Sequence, residues 1–120
     1  MAAASKKEAA RKAIMKQYPD ARPSPLSKKV FVATSPTHGL GMFAAERIKA
    51  DIVLGRLEGM PTREDGIYVL WLTKKLGLEV TNDFRFINHD SDANCALTDE
   101  DVVTLRDIEP GEELFHDYGW

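Results

Sequence analysis

The chain has 120 residues, 43% hydrophobic and 29% charged, the balance of one soluble globular domain with a modest core, and no apolar run approaches the length of a membrane span. Its single cysteine, Cys95, excludes an internal disulfide framework and a multi-cysteine zinc cluster. The net charge of −3 hides an asymmetry: residues 1–29 carry eight Lys/Arg against two acidic residues, +6, while the remainder carries eight against seventeen, −9.

The N-terminus, "MAAASKKEAARKAIMKQYP", has no apolar stretch of signal-peptide type, so an intracellular protein is expected, cytoplasmic or nuclear. Ser5 and Glu8 have capping-box spacing and predict a short helix over residues 5–18. Its apolar stripe (Ala9, Ala13, Met15, Tyr18) is weak and predicts loose docking. "PDARPSPL", residues 19–26, holds three prolines and reads as an extended linker. Residues 1–26 are thus expected to form a basic arm and linker, dispensable for any site in the body, which is expected to span 27–120.

Within the body, "KKVFVATS" is a β-branched and aromatic run, hence a strand. "SPTHGLGMFAAE" is a turn with two glycines that re-enters apolar sequence. "DIVLGRLEG" predicts one strand ended by Gly59 and Pro61. "GIYVLWLTKKLGLEV" holds two apolar runs about Lys74-Lys75 and predicts a hairpin. "DVVTLRDI" alternates as a strand does, "TDEDVV" reads as a solvated turn, and "EPGEEL" is a turn. Short strands with a turn signal about every ten residues predict a mostly-β domain with irregular connections.

Three stretches suggest chemistry. In "HGLGMFA", two glycines around Leu40 let backbone approach a ligand, since no Cβ intervenes; a third glycine opening a helix, as in dinucleotide-binding turns, is missing. In "FRFINHDSDANC", an apolar lead runs into Asn88-His89, which present amide and imidazole groups. In "IEPGEELFHDYGW", a turn returns Leu114 and Phe115 to the core and is followed by Asp117-Tyr118-Gly119-Trp120. Each has a plain structural reading: an ordinary turn, buried polar groups satisfied by backbone, and a rim aromatic.

Taken in this order, the three blocks resemble those of the SET-domain protein lysine methyltransferases: Gly39-Leu40-Gly41; Arg85-Phe86-Ile87-Asn88-His89 with Asn94; and Gly111-Glu112-Glu113-Leu114 with Asp117-Tyr118-Gly119. The resemblance runs from about Lys28 to Trp120. It implies a SET-domain (β-clip) fold with a C-terminal pseudoknot, in a minimal form of viral or bacterial type without zinc-binding flanks, and an activity that requires no metal. It implies that S-adenosylmethionine is held by Gly39, Leu40 and Gly41, by Arg85 and Phe86, and by Asn88 and His89. Tyr118 is implied as the catalytic residue, aligning a substrate lysine with the methyl group. The implied substrate is a lysine in a basic segment of a histone, histone-like or ribosomal protein, which suits the acidic body.

Departures from the family pattern are Asp90-Ser91 where Ser-Cys is usual, Ala93 where a proline precedes the last Asn, and Leu57 where many members carry a tyrosine. The sequence stops at Trp120, so Trp120 or a second subunit of a homodimer is expected to wall the adenine. The rival reading is a non-catalytic SET-like module that binds a peptide or partner. A nucleic-acid-binding arm is the weaker alternative, because the acidic body would be repelled by phosphate. His116 is not expected to be a base. Cys95 reads as a small buried hydrophobe.

Overall fold

A computed structural model describes residues 2–37, 39–98 and 100–117, with side chains from Lys6 onward. Its elements are mostly short strands, as the sequence predicts. A 14-residue helix, α1 (Ala2–Met15), leads the chain. It starts three residues before Ser5, because the alanines there are good helix formers, so Ser5 lies inside the helix and not at its cap.

The first sheet runs β1 (Arg22–Pro23), β2 (Val30–Thr34), β3 (Leu40–Ala44), all antiparallel. The β2–β3 ribbon is buried on both faces, which is why β2 shows no alternation. Val30, Val32, Met42 and Ala44 face the main core. Phe31, Ala33, Phe43 and Ala45 face the other way, onto Ile14, Met15, Tyr18 and Ala21. The weak helical stripe therefore docks through an aromatic triad: the Tyr18 ring lies 5.2 Å from Phe31 and 4.7 Å from Phe43. Arg11 pairs with Glu46, and the Tyr18 hydroxyl donates to the Gly111 carbonyl at 2.6 Å. Within the stretch read as linker, β1 pairs with β2, and Arg22 forks onto Asp83 with two bonds of 3.1 Å. Ser24 Oγ adds a third bond to Asp83 at 3.0 Å.

"DIVLGRLEG" is not one strand. β4 (Val53–Arg56) and β5 (Gly59–Thr62) belong to different sheets, and buried Leu57 occupies the corner between them. β5 runs through Pro61, which is tolerated because β5 is an edge strand. The expected hairpin is β6 (Val69–Trp71) against β7 (Gly77–Val80), antiparallel with Val69 opposite Glu79.

The central sheet has five strands in the order β4, β10 (Asp101–Thr104), β9 (Cys95–Thr98), β11 (Phe115–His116), β8 (Asn88–His89). β9 and β10 form a hairpin. Its turn includes Glu100 at φ 75°, as "TDEDVV" predicted, although Asp99 lies outside the described residues. β11 is parallel to both β8 and β9. Since β8 and β9 are consecutive in the chain and flank β11, the connection between them crosses the C-terminal strand: this is the expected pseudoknot.

Candidate active site

The first block begins at the β2–β3 turn. The Ser35 N–H donates to the Gly39 carbonyl at 2.7 Å, and Gly39 sits at φ 49°, the left-handed region that glycine occupies without strain. A Cβ on Gly39 would meet nothing within 4 Å, so the backbone there is open to a ligand. Gly41 is different: a Cβ there would lie 2.5 Å from Glu113 Oε2 and 3.1 Å from Ser35 Cβ. Gly41 is therefore a glycine because a carboxylate occupies the place of its side chain.

The second block leaves a 3-10 turn (Asp83–Phe86) and enters β8. Asn88 Nδ2 donates to the Leu40 carbonyl at 3.2 Å and to Glu113 Oε2 at 2.9 Å. The third block enters beside it, with Phe115 opposite Asn88 and His116 opposite His89. Asn94 holds the crossing and is fully buried. Its Nδ2 donates to the Glu113 carbonyl and its Oδ1 accepts from the Phe115 N–H, both at 2.8 Å. Its side-chain polar groups all bond the third block, so Asn94 is structural.

Of the residues expected to bind the cofactor, Leu40 and Asn88 are joined directly by one of these bonds, with Gly41 next along β3 against Glu113, Gly39 at the turn's tip and His89 next along β8. His89 Nδ1 lies 3.9 Å from Asp117 Oδ1. Arg85 and Phe86 form a second cluster. The Arg85 guanidinium lies 4.1 Å above the Phe86 ring and 5.8 Å from Tyr68, and it donates to the Thr81 carbonyl at 2.9 Å. Phe86 meets Tyr68 edge to face at 5.9 Å. Asp83, at the start of this turn, is held below the usual carboxylate range, chiefly by its bonds from Arg22. Tyr118 and Trp120, expected as catalytic residue and adenine wall, and His38 lie outside the described residues.

Leu57, the position at which many family members carry a tyrosine, lines a cavity of about 30 Å³ with Tyr68, Ile87, Leu97 and His116, room for roughly one water. Burial, with the nearby His89 adding to it, lowers the His116 pKa to about 4, so this imidazole is neutral at physiological pH and a poor base. Burial pushes the Cys95 thiol up to about 12; it is inert, as its role of small buried hydrophobe requires. Sequence reasoning missed Ser35, Asp83 and Glu113 as organisers of the site. Only Glu113 had a signal, as a member of the "GEEL" block.

The SET domain family profile matches residues 39–119, which takes in all three blocks. Among curated proteins, the chain is 28% identical over 116 residues to the "Histone-lysine N-methyltransferase MEDEA" of Arabidopsis thaliana, a match covering 77% of this chain. The matched region is 17% of that relative's length. With the profile covering the knot, the glycine turn and the Asn-His block together, the chain belongs to the SET domain family.

Proposed function

We propose that this protein is an S-adenosylmethionine-dependent protein lysine N-methyltransferase acting on a lysine in a basic protein segment. The observation that carries the reading is the junction at Asn88, where one side chain ties the glycine turn to the knotted C-terminal strand through Leu40 and Glu113. The residues present fit the cofactor. Open backbone at Gly39 can approach its amino-acid part, and the Asn88 amide and the backbone beside His89 supply polar contacts at one end of β8. When bound, the cofactor supplies an electrophilic methyl group on a sulfonium. The chain's own task is to place a neutral amine in line with it. A free lysine has a pKa of about 10.4, and an apolar surround disfavours its charged form. Positioning of this kind contributes up to about 7–11 kcal/mol in favourable cases. Tyr118 would orient the amine.

The charge of −9 on residues 30–120 and the exposed Asp90, Asp92 and Asp117 at the knot favour a basic substrate. The MEDEA relative, by its name, methylates histone lysines. The test is calorimetric titration with S-adenosylmethionine, followed by transfer of labelled methyl groups to a mixed pool of histones and ribosomal proteins. Binding and lysine methylation are expected. Asn88→Ala should bind the cofactor about tenfold or more weakly, since a lost hydrogen bond to a charged group costs ~1.5–3 kcal/mol. Binding without transfer to any member of the pool would favour the peptide-binding module, and no binding would overturn the reading.

A further inference from the structure

α1 docks by one end only. Ile14, Met15 and Tyr18 pack on the β2–β3 ribbon and Arg11 pairs with Glu46, but Lys6, Lys7, Glu8, Ala9 and Ala10 are all exposed. The first half of the helix therefore stands clear of the body, without the tertiary packing on which short helices depend. Spacings of three, four and three residues put Lys6, Ala9, Ala13 and Lys16 in one stripe, with Lys12 beside it, and all five are exposed. The Lys16 N–H still donates to the Lys12 carbonyl at 3.0 Å, so the helical turn carries Lys16 into that stripe. Lys6, Lys7, Lys12 and Lys16 take part in no ion pair among the described residues, and Glu8 is the one acidic residue of the helix.

We infer that α1 docks on the phosphate backbone of duplex DNA, a binding activity additional to methyl transfer. Exposed lysines that meet phosphates release condensed counterions, which supplies affinity without sequence preference. Alanines between the lysines keep the face narrow. The wide major groove of DNA admits such a helix, whereas that of duplex RNA is deep and narrow. Single strands are held largely by stacking on aromatic rings, and Tyr18, the one aromatic among residues 1–29, is engaged with Phe31 and Phe43. An anionic membrane would require an apolar face to insert, and the apolar residues of this helix already lie against the body. The body, at −9 beyond residue 29, is repelled by phosphate, so the helix holds the DNA while the acidic side stays free for a basic segment. The choice of DNA rests on the basic-substrate reading above, since histones lie on DNA; the binding itself is measured without cofactor or substrate, so either reading can fail alone.

The experiment is fluorescence anisotropy of a labelled mixed-sequence DNA duplex of about 20 base pairs, titrated with the full chain between about 50 and 200 mM salt. The wild type should bind with a Kd of about 10 μM or tighter at the lower salt, and the logarithm of its binding constant should fall against that of salt with a slope of about −3. The double variant Lys12→Gln/Lys16→Gln, shown by circular dichroism to keep its helix, should bind about tenfold or more weakly at the lower salt, with a slope of about −1. Lys74→Gln/Lys75→Gln removes two exposed lysines from the β6–β7 hairpin and should bind within about twofold of wild type. A weaker wild-type Kd overturns the inference. So does a loss below about threefold in the folded Lys12/Lys16 variant, or an equal loss in the Lys74/Lys75 variant, which would make net charge and not this helix the cause. Tighter binding of an RNA duplex or of polyglutamate than of the DNA would assign α1 to a different partner and also overturns it.

Discussion

Tyr118 and His116 are two residues apart at the end of the chain and call for different measurements. By the resemblance of the third block, Tyr118 is proposed as the counterpart of the family's tyrosine, and its hydroxyl is expected to act on the amine being methylated and not on the cofactor as a whole. An interaction made mainly in the transition state lowers turnover and kcat/KM together. Tyr118→Phe should therefore bind S-adenosylmethionine normally in calorimetry and transfer methyl groups at least ~10-fold more slowly, which is about 1.4 kcal/mol of barrier. Wild-type turnover in this variant would reduce Tyr118 to a rim aromatic. His116 is buried, and its pKa is lowered to about 4, against about 6.5 in the unfolded chain. Between those values the unfolded chain binds more protons, so this histidine's contribution is fully present above about pH 6.5 and is lost as pH falls through about 4. The loss is on the order of 3 kcal/mol. Urea denaturation from neutral pH to about pH 4 should show a shallower fall in stability for His116→Gln than for wild type; parallel curves would remove His116 as the cause.

At the scale of elements, the N-terminal segment is bound to both motif-bearing parts of the body. Ile14, Met15 and Tyr18 cover Phe31 and Phe43. Tyr18 reaches the turn that opens the third block through Gly111, and Arg22 and Ser24 hold Asp83 at the turn that opens the second. The proline-rich stretch read as a linker had suggested an arm dispensable for the site; the few apolar residues of the segment are placed against the aromatic face of the β2–β3 ribbon. Deleting residues 1–25 would uncover both phenylalanines on that side and remove the bonds that Arg22 and Ser24 make to Asp83. Burying one such aromatic is worth about 1.5–3 kcal/mol, so the truncated chain should be destabilised by several kcal/mol, read as a lower urea midpoint. An unchanged midpoint would show that the helix covers the ribbon without stabilising it. A cofactor affinity that falls with the midpoint would make the segment part of the site's support.

For the whole molecule, charge is the property that reaches furthest. The body beyond residue 29 has a formal charge of −9, and Asp90, Asp92 and Asp117, which follow β8 and β11 in the chain, are exposed. Steering by such a field acts on encounter and weakens as salt shortens the screening length from about 10 Å at 0.1 M to about 3 Å at 1 M. With a basic peptide as substrate, KM should rise several-fold from low to high salt while kcat changes little. A salt-independent KM would place substrate selection in local contacts and not in the overall field.

How much of this was legible in one dimension depended on the range of the interaction. The three blocks could be read because each is a local backbone requirement: a left-handed glycine at 39, an apolar 3-10 turn leading into Asn88, and a glycine turn at 111 leading to a strand. The hairpin around Lys74-Lys75 was legible for the same reason. "DIVLGRLEG" was misread as one strand because the corner at Leu57 is set by two different sheets, each completed by distant strands, and nothing local marks the change of partner. The double-sided burial of β2 was hidden because its second cover is a helix whose own apolar stripe is weak. Glu113 was legible only as a letter in a motif. Its hydrogen-bond partners, Asn88 and Ser35, lie 25 and 78 residues away, and no local pattern encodes such a meeting. Residue types and their spacing determined the family and the chemistry it makes available. Only the threading of β11 between β8 and β9 decided which of those residues touch, because hydrogen bonds act over about 3 Å and the chain must first be knotted to bring the groups that close.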